Sequence, residues 1–427
     1  MIRLPPLGRD YYKYASAAFL ASFSGGVQFI AISWHLYTST GSAWSVGVAM
    51  IVSTLPGILG STWIGAFVDR RSPRAICAAA DFLRGVAWLC AAVAIQFPGM
   101  AIPVIYAALF CSATCDCFFQ PAIGGMVRDM VPHERLLQAN IVTNMSMQVG
   151  VTTGASAGGA LVVLIGAYGT LGLVAAALVL SGVLIYSIGN RASATPSPAS
   201  NTPRSVLTDY QVTFRYLAKN NALLIPCAVL IMAYANMNFC NTAMPIFVAR
   251  DLKGSSVSFG LVDAFWGFGS IAGGLLLPLF ARRARAATQG LCGLLAMSAT
   301  LTFLSLAGEP VLAAAAMFMM GALNCMMRVS ADTAMLQTVV PALYAKVKSL
   351  TLMLIACLSL AVYAGVSRWG DSLSMRSLFR VDAALLATFV AAALVCLLGA
   401  RHASRRDADR SGVGHAAPPR RPSSNHD

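Results

Sequence analysis

The sequence predicts an all-α membrane protein with twelve transmembrane helices in two pseudo-symmetric six-helix bundles. Its 427 residues are 57% hydrophobic and only 11% charged, whereas about a quarter of the residues in a soluble domain are charged. Charges are absent from three long runs, 14–68, 136–190 and 220–249. Since a membrane helix needs about 20 apolar residues, the first two runs hold two helices each and the third holds one. The runs lack the polar–apolar alternation of membrane-barrel strands.

Twelve segments have the length and hydrophobicity of membrane helices. Their predicted bounds are 14–37, 44–67, 75–97, 101–126, 138–162, 168–189, 221–248, 256–280, 287–307, 311–336, 347–367 and 381–400. These segments divide the chain into an N-terminal six-helix bundle (1–189), a cytoplasmic linker (190–219), a C-terminal six-helix bundle (220–400) and a cytoplasmic tail (401–427). The linker begins with small, polar, proline-rich residues, which are typical of flexible connections. The tail is rich in Arg, Asp and Pro and is predicted to be disordered.

Basic residues collect in the loops on one side of the predicted membrane. The positive-inside rule places those loops, and both termini with them, in the cytoplasm. The opposite side receives Arg250, Lys253, Arg368, Arg376 and Arg380. Topology therefore explains the net charge of +14, and no nucleic-acid partner is predicted. We expect a monomeric, multi-pass protein in the lipid bilayer of a bacterial inner membrane.

An internal repeat supports the division into two halves. Val131-Pro132 ends helix 4, and Val340-Pro341, 209 residues later, ends helix 10. The same offset takes Gly65 to Gly274 and Arg74 to Arg283. Six spans in each half with matched positions indicate a parallel repeat, whose axis lies along the membrane normal.

The loop after helix 2 carries the motif Gly65-Ala-Phe-Val-Asp69-Arg70-Arg71-Ser72-Pro73-Arg74. It resembles the loop signature of the major facilitator superfamily, Gly-x-x-x-Asp-Arg-x-Gly-Arg-Arg/Lys, with Ser72 in place of glycine and Pro73 in place of a basic residue. The resemblance implies a cytoplasmic gate in which Asp69 faces the positive end of helix 11. Asp81 and Arg84, near the cytoplasmic end of helix 3, are expected to support this gate. Alternatively, the arginines of the loop only determine topology.

Further motifs narrow the resemblance to one branch of that superfamily. Pro121-Ala122, Val131-Pro132-x-x-x-Leu136-x-x-Ala139-Asn140 and Gln337-x-x-x-Pro341-x-x-x-Ala345-Lys346-Val347-x-Ser349 resemble the macrolide-efflux and enterobactin-exporter branch. Helix 5 carries Gly154-Ala155-Ser156-Ala157-Gly158-Gly159, similar to an exporter signature in which proline stands at the place of Ala155. Gly154, Gly158 and Gly159 are predicted to permit close contact between helices.

Ionisable residues inside membrane spans are candidates for function, because burying charge in a bilayer is costly. Asp116, Asp263 and Asp332 are the candidate proton-coupling residues, with Asp116 first because it lies deep in helix 4. Asp116 could instead bond only to local Cys or Thr side chains. Arg328 and Asp332, four residues apart on helix 10, can pair locally. Asp382 is placed at the start of helix 12, where a carboxylate suits the helix dipole.

In the fold that the resemblance implies, helices 1, 4, 7 and 10 line a central cavity. The candidate substrate contacts on these helices are Gln28, Gln120, Asn238, Asn241, Asn324 and Arg328. The amides among them could equally serve packing between helices.

The expected function is secondary active transport, namely proton-driven export of a small amphipathic compound such as a drug or a siderophore. The partners are then the small-molecule substrate and protons. A nutrient importer of the same fold and a non-transporting membrane sensor remain alternatives. No phosphate loop, Gly-x-Ser-x-Gly elbow or His-Glu-x-x-His motif occurs, so no enzyme is predicted. The eleven cysteines lie mostly in apolar runs, as small hydrophobes do, and no metal or cofactor is predicted.

Overall fold

The computed structural model describes residues 8–68, 71–97, 99–132, 135–189, 213–215, 217, 221–281 and 286–410. Every regular element in these residues is helical, which confirms the all-α prediction. The N-terminal half holds α1 (Arg9–Thr40), α2 (Ala43–Val68), α3 (Pro73–Ala94), α4 (Ala101–Met130) and the long segment Leu136–Tyr186. That segment is interrupted at Gly166, whose φ of 69° and ψ of 173° are not helical. We call the part before Gly166 α5 and the part after it α6.

The C-terminal half repeats this arrangement. It holds α7 (Asn221–Ile246, continued by a π-helical turn, Phe247–Asp251), α8 (Ser256–Ala281), α9 (Ala286–Leu306), α10 (Pro310–Thr338), α11 (Pro341–Trp369) and α12 (Met375–Arg410). Within the described residues, eleven continuous stretches are long and apolar enough to cross a membrane. Since Gly166 divides the longest of them, they amount to the twelve predicted spans.

Three helices begin well before their predicted bounds, and one of them is α11, which begins at Pro341 and not at 347. The first helix begins at Arg9 and not at 14, and α12 begins at Met375 and not at 381. Asp382 therefore lies two turns inside α12, where it accepts a hydrogen bond from Asn236 Nδ2 at 2.8 Å. Its predicted place at a helix start was wrong, because the polar residues before it continue the helix. α12 also runs on to Arg410, so the predicted disordered tail starts with helical residues; 411–427 lie outside the described residues.

The two halves repeat the same contacts between helices. α1 packs on α5 as α7 packs on α11, α2 on α4 as α8 on α10, and α3 on α6 as α9 on α12. The contacts between halves are also paired, since α2 meets α11 and α5 meets α8. This pattern is the one expected for a two-fold axis between the bundles, with each helix matched to the helix six places later.

The halves pack closely at one end of the bundle, which we call the outer end and which carries the turns between α1 and α2 and between α11 and α12. Ser256 Oγ of α8 donates to the Gly159 carbonyl of α5 at 2.9 Å. A Cβ on Gly159 would lie 2.8 Å from the carbonyl carbon of Ser256, so glycine permits this approach. Trp34 of α1 stacks on Phe259 of α8, with ring centroids 6.3 Å apart. The outer end is thus closed.

Within the N-terminal half, glycines of α5 lie directly against α1. A Cβ on Gly154 would overlap the Phe23 carbonyl, and a Cβ on Gly158 would lie 3.1 Å from the Cα of Val27. The glycine motif of helix 5 therefore faces two neighbours, α1 through Gly154 and Gly158, and α8 through Gly159.

Candidate functional site

A cavity of about 470 Å³ opens between α1, α2 and α4 of the N-terminal half. Its lining combines small polar groups with a single carboxylate: Gln28, Ser53, Thr54, Gly57, Leu109, Ser112, Ala113, Asp116 and Cys117. Gln28 Oε1 is buried and has no hydrogen-bond partner among the described residues. The cavity therefore presents a carboxylate to whatever enters it, and an unbonded amide oxygen lies buried in its wall.

Asp116 ends a row of three charges that crosses from α3 to α4. Arg84 Nη1 lies 3.4 Å from Asp81 Oδ1 and 3.0 Å from Asp116 Oδ1. Side-chain exposure rises along the row, from 0% for Asp81 and 8% for Arg84 to 48% for Asp116. Arg84 thus joins a sealed carboxylate to one that faces the cavity.

Neutral groups hold this row in place. Ser181 Oγ of α6 lies 2.6 Å from Asp81 Oδ2 and 3.0 Å from the Ala17 carbonyl. Arg84 Nε donates to Ser112 Oγ at 3.2 Å. Buried charges need such partners, because an unpaired ion in an apolar setting is costly. The partner of Asp116 is Arg84 of α3, so it lies on another helix, as the sequence around Asp116 indicates. The expected support of the gate by Asp81 and Arg84 stays a prediction.

Arg328 and Asp332 of the C-terminal half do not bind each other. Arg328 Nη2 donates to Tyr234 Oη at 2.7 Å, and its guanidinium carbon lies 4.3 Å from the centre of the Tyr234 ring. Asp332 instead accepts a hydrogen bond from Lys348 of α11. The expected pair on one helix was wrong, because partners on α7 and α11 are better placed than a side chain one turn away.

The predicted cavity amides divide between helix contacts and positions without a described side-chain partner. Asn238 Nδ2 donates to Ser359 Oγ at 2.6 Å and Asn324 Nδ2 to the Ala233 carbonyl at 2.8 Å, so both join neighbouring helices. Asn241 is half-buried on α7. The candidate proton-coupling residue Asp263 is half-buried on α8. Gln120 lies in α4, but its side chain is outside the described residues.

The gate motif is only partly described. Gly65 lies in the last turns of α2, whereas Asp69 and Arg70 are outside the described residues. Arg74 Nη2 donates to the Tyr186 carbonyl at 2.5 Å and its guanidinium carbon lies 4.9 Å from the Tyr186 ring centre. Ser72 Oγ accepts from the Ala75 N–H at 3.4 Å, which caps α3. The predicted contact of Asp69 with helix 11 stays a prediction.

Sequence reasoning missed Asp371, in the turn between α11 and α12. Its carboxylate accepts from the Ala43 N–H and from Ser42 Oγ, both at 2.6 Å, and so caps the N-terminus of α2 in the other half. A carboxylate at this end of a helix is favoured by free N–H groups and by the helix dipole. The two segments are far apart in the chain, and no local pattern could have paired them.

Two six-helix bundles around an axis, with a polar cavity between spans and a closed outer end, define the class of polytopic membrane transporters. Residues 14–364 match the family model described as Major Facilitator Superfamily. The chain belongs to this superfamily, which confirms the resemblance drawn from the loop after helix 2.

Known relatives are distant. The uncharacterized MFS-type transporter YjbB of Bacillus subtilis is 24% identical over 326 residues, 75% of this chain and 78% of that protein. Macrolide efflux protein A of Streptococcus pyogenes is 21% identical over 278 residues, 63% of this chain and 66% of that protein.

Solved structures share the fold at low identity. A nucleoside transporter, NupG, aligns with a TM-score of 0.69 and 14% identity over 91% of this chain and 99% of that one. A transporter of the POT family in complex with 5-aminolevulinic acid aligns with a TM-score of 0.71 and 13% identity over 91% and 96% of the two chains. A bacterial homologue of the lysosomal transporter Spinster, in an inward-facing and unoccupied conformation, aligns with a TM-score of 0.67 and 14% identity over 91% and 98%.

Proposed function

We propose that this protein exports a small amphipathic compound, such as a drug or a siderophore, in exchange for protons and with no enzymatic step. Asp116 carries the proposal, because it places a carboxylate on the cavity wall while Arg84 and Asp81 lie behind it. The distant relation to macrolide efflux protein A supports export over import.

The row of charges supplies a way to couple protons to transport. With Asp116 ionised, Arg84 is shared between two carboxylates. When Asp116 takes up a proton, its attraction for Arg84 weakens and Arg84 turns towards Asp81, which no solvent reaches. One proton thereby changes the charge that the cavity presents to a substrate without leaving an unpaired ion in the membrane.

Liposomes containing the purified protein test this proposal. A radiolabelled macrolide and a siderophore are the probes, and a proton gradient is imposed by a pH jump. Wild-type protein should accumulate one of them against its gradient, and Asp116→Asn should abolish accumulation while leaving downhill exchange measurable. Asp10→Asn, at the start of α1 beside Lys13, is the matched control and should accumulate normally. Accumulation by the Asp116→Asn protein would contradict the role of this carboxylate, and proton-driven movement only in the opposite direction would favour a nutrient importer.

We further propose that the protein lies in the bacterial inner membrane with both termini in the cytoplasm. The clustering of arginines in loops on one side supports this orientation. Fusions of alkaline phosphatase, which is active only outside the cytoplasm, should be inactive after residue 410 and active when inserted at Gly308, in the turn between α9 and α10. The reverse pattern would invert the orientation.

A further inference from the structure

The cavity in the N-terminal half carries an excess negative charge. Arg84 balances one carboxylate, and Asp81 is the one that is sealed, held by Arg84 and by Ser181 at 2.6 Å. Asp116 is then the surplus ion, and its side chain is the most exposed of the three at 48%. A group that enters beside Gln28 and Asp116 therefore meets a carboxylate, which suits a protonated amine, and an unbonded amide oxygen lies buried in the wall beside it.

The C-terminal half carries the opposite charge. Arg328 contacts only neutral partners among the described residues, namely Tyr234 and, at 4.0 Å, the sulfur of Met237. Its Nε is buried and has no partner there. Asp332, the nearest carboxylate on the helix that carries Arg328, is already bound by Lys348 of α11. Among the described residues, Arg328 is thus a guanidinium without a carboxylate partner and with one unbonded, buried N–H, and a guanidinium is well suited to bind a carboxylate.

The two surplus charges occupy related places in the two halves. The repeat offset of 209 residues takes Asp116 of α4 to Cys325 of α10, three residues and so about 4.5 Å along the helix from Arg328. Arg328 packs on Tyr234 of α7, and α7 contacts α1 across the interface between the halves. One negative and one positive group therefore lie at similar depth on equivalent helices of opposite halves.

We propose that the transported compound is zwitterionic, with a protonated amine held at Asp116 and a carboxylate held at Arg328. An aromatic portion of the compound would lie near Tyr234. A ligand of this kind neutralises both surplus charges at once, whereas a simple cation or anion leaves one of them uncompensated in the bilayer, which is costly. This inference rests on the proposed function and specifies the substrate class.

A charge-matched library tests the inference by the thermal stability of the purified full chain. Each of several aromatic amino acids, aminoalkyl benzoates and amphoteric quinolones is supplied as the zwitterion, as its methyl ester, which keeps only the amine, and as its N-acetyl derivative, which keeps only the carboxylate. We expect at least one zwitterion to raise the melting temperature and to bind about tenfold more tightly than both of its derivatives.

Variants then assign each charge to its residue. In the Arg328→Gln protein the zwitterion should bind no more tightly than its ester, which lacks the carboxylate. In the Asp116→Asn protein the zwitterion should bind no more tightly than its N-acetyl form, which lacks the amine. Arg328→Lys should keep part of the zwitterion's advantage over its ester, which separates loss of charge from damage to the fold. Arg376→Gln, which removes an arginine bonded to the Ala307 carbonyl, should leave both differences in binding unchanged.

The binding and transport experiments distinguish a failure of the zwitterion inference from a failure of proton-driven export. If no zwitterion stabilises the protein, or if the esters bind as well as the zwitterions, the inference is overturned even when liposomes transport another compound. If a zwitterion binds in this charge-dependent way but no proton gradient drives its movement, the substrate class stands and proton-driven export fails.

Discussion

Arg84 is the residue on which the polar interior of the N-terminal half depends. It is buried within the membrane span and bonds to two carboxylates and to Ser112. Removing one member of a buried ion pair leaves an uncompensated charge, whereas removing both members can be nearly neutral. Stability and function can therefore be separated at this site by the choice of substitution.

Arg84→Gln should lower the free energy of unfolding in detergent by about 3 kcal/mol, because Asp81 then remains buried without a counterion. The double variant Asp81→Asn, Arg84→Gln should recover most of this loss, since no charge remains sealed inside. Unfolding followed by tryptophan fluorescence in a denaturing detergent measures both. Arg71→Gln, whose guanidinium carbon lies 5.0 Å from the Phe67 ring at the surface, is the control. If the double variant instead loses the sum of the losses measured for Asp81→Asn and Arg84→Gln alone, the two residues are not coupled and the pairing is contradicted.

Individual residues also show which ion pairs can be predicted from the sequence alone. The absence of an opposite charge near Asp116 on its own helix predicts a partner on another helix, and the structure identifies it as Arg84. By contrast, the spacing of Arg328 and Asp332 indicated a pair that does not form, because Tyr234 and Lys348 compete for the two side chains. Spacing along a helix states which pairs are possible. Choosing among them requires the positions of the neighbouring helices.

At the scale of helices, hydropathy predicted the twelve spans and the direct turn between α5 and α6. Gly166, with its φ of 69°, makes this turn in a single residue, in a backbone region that residues with a Cβ rarely adopt. The start of α12 was misplaced, because hydropathy locates the apolar part of a helix and not its polar first turns. The glycines of α5 were expected at helix contacts, but their neighbours could not be predicted from α5 alone.

Gly154→Ala should weaken the packing of α1 on α5. The added Cβ would overlap the Phe23 carbonyl and lie 3.0 Å from its carbon, so the helices must separate, at a cost of about 1–3 kcal/mol. The melting temperature of the purified protein should fall accordingly. Gly172→Ala on α6, where nothing lies within 4 Å of the new Cβ, should melt at the wild-type temperature or above it. Equal melting temperatures for the two variants would show that α1 and α5 do not need this close approach.

For the whole molecule, the closed outer end depends on contacts between segments that are distant in the chain. Asp371 of the C-terminal half contributes one of these contacts, because its carboxylate accepts from the Ala43 N–H of α2 and from Ser42 Oγ. When the outer end opens, those groups lose the carboxylate and must bind water. The capping bond therefore favours the closed arrangement, by about 1 kcal/mol for a typical cap.

Asp371→Asn should shift the equilibrium towards an open outer end, because the amide keeps an acceptor oxygen but loses the charge that favours a helix N-terminus. Hydrogen–deuterium exchange followed by mass spectrometry should show faster exchange in peptides that cover Ala43 and the first turn of α8. Ser372→Ala, which removes a hydroxyl bonded only within its own turn at 3.1 Å, should leave exchange unchanged. Unchanged exchange in the Asp371→Asn protein would mean that other contacts alone keep the end closed.

The cap on α2 also bears on the evolution of the two halves. In a pair of identical halves related by a two-fold axis, every contact between them occurs twice. The turn of the N-terminal half that corresponds to the turn between α11 and α12 is the one between α5 and α6. It contains no Asp or Glu, because the whole run 136–190 is uncharged, so no carboxylate there can cap α8. The general pattern of contacts belongs to an ancestor with two alike halves. This carboxylate distinguishes one of the two contacts between the halves, α2 with α11, from the other, α5 with α8. The closed outer end was therefore modified after the halves had begun to diverge. The contact of α2 with α11 and the contact of α5 with α8 are expected to differ in the free energy needed to open them.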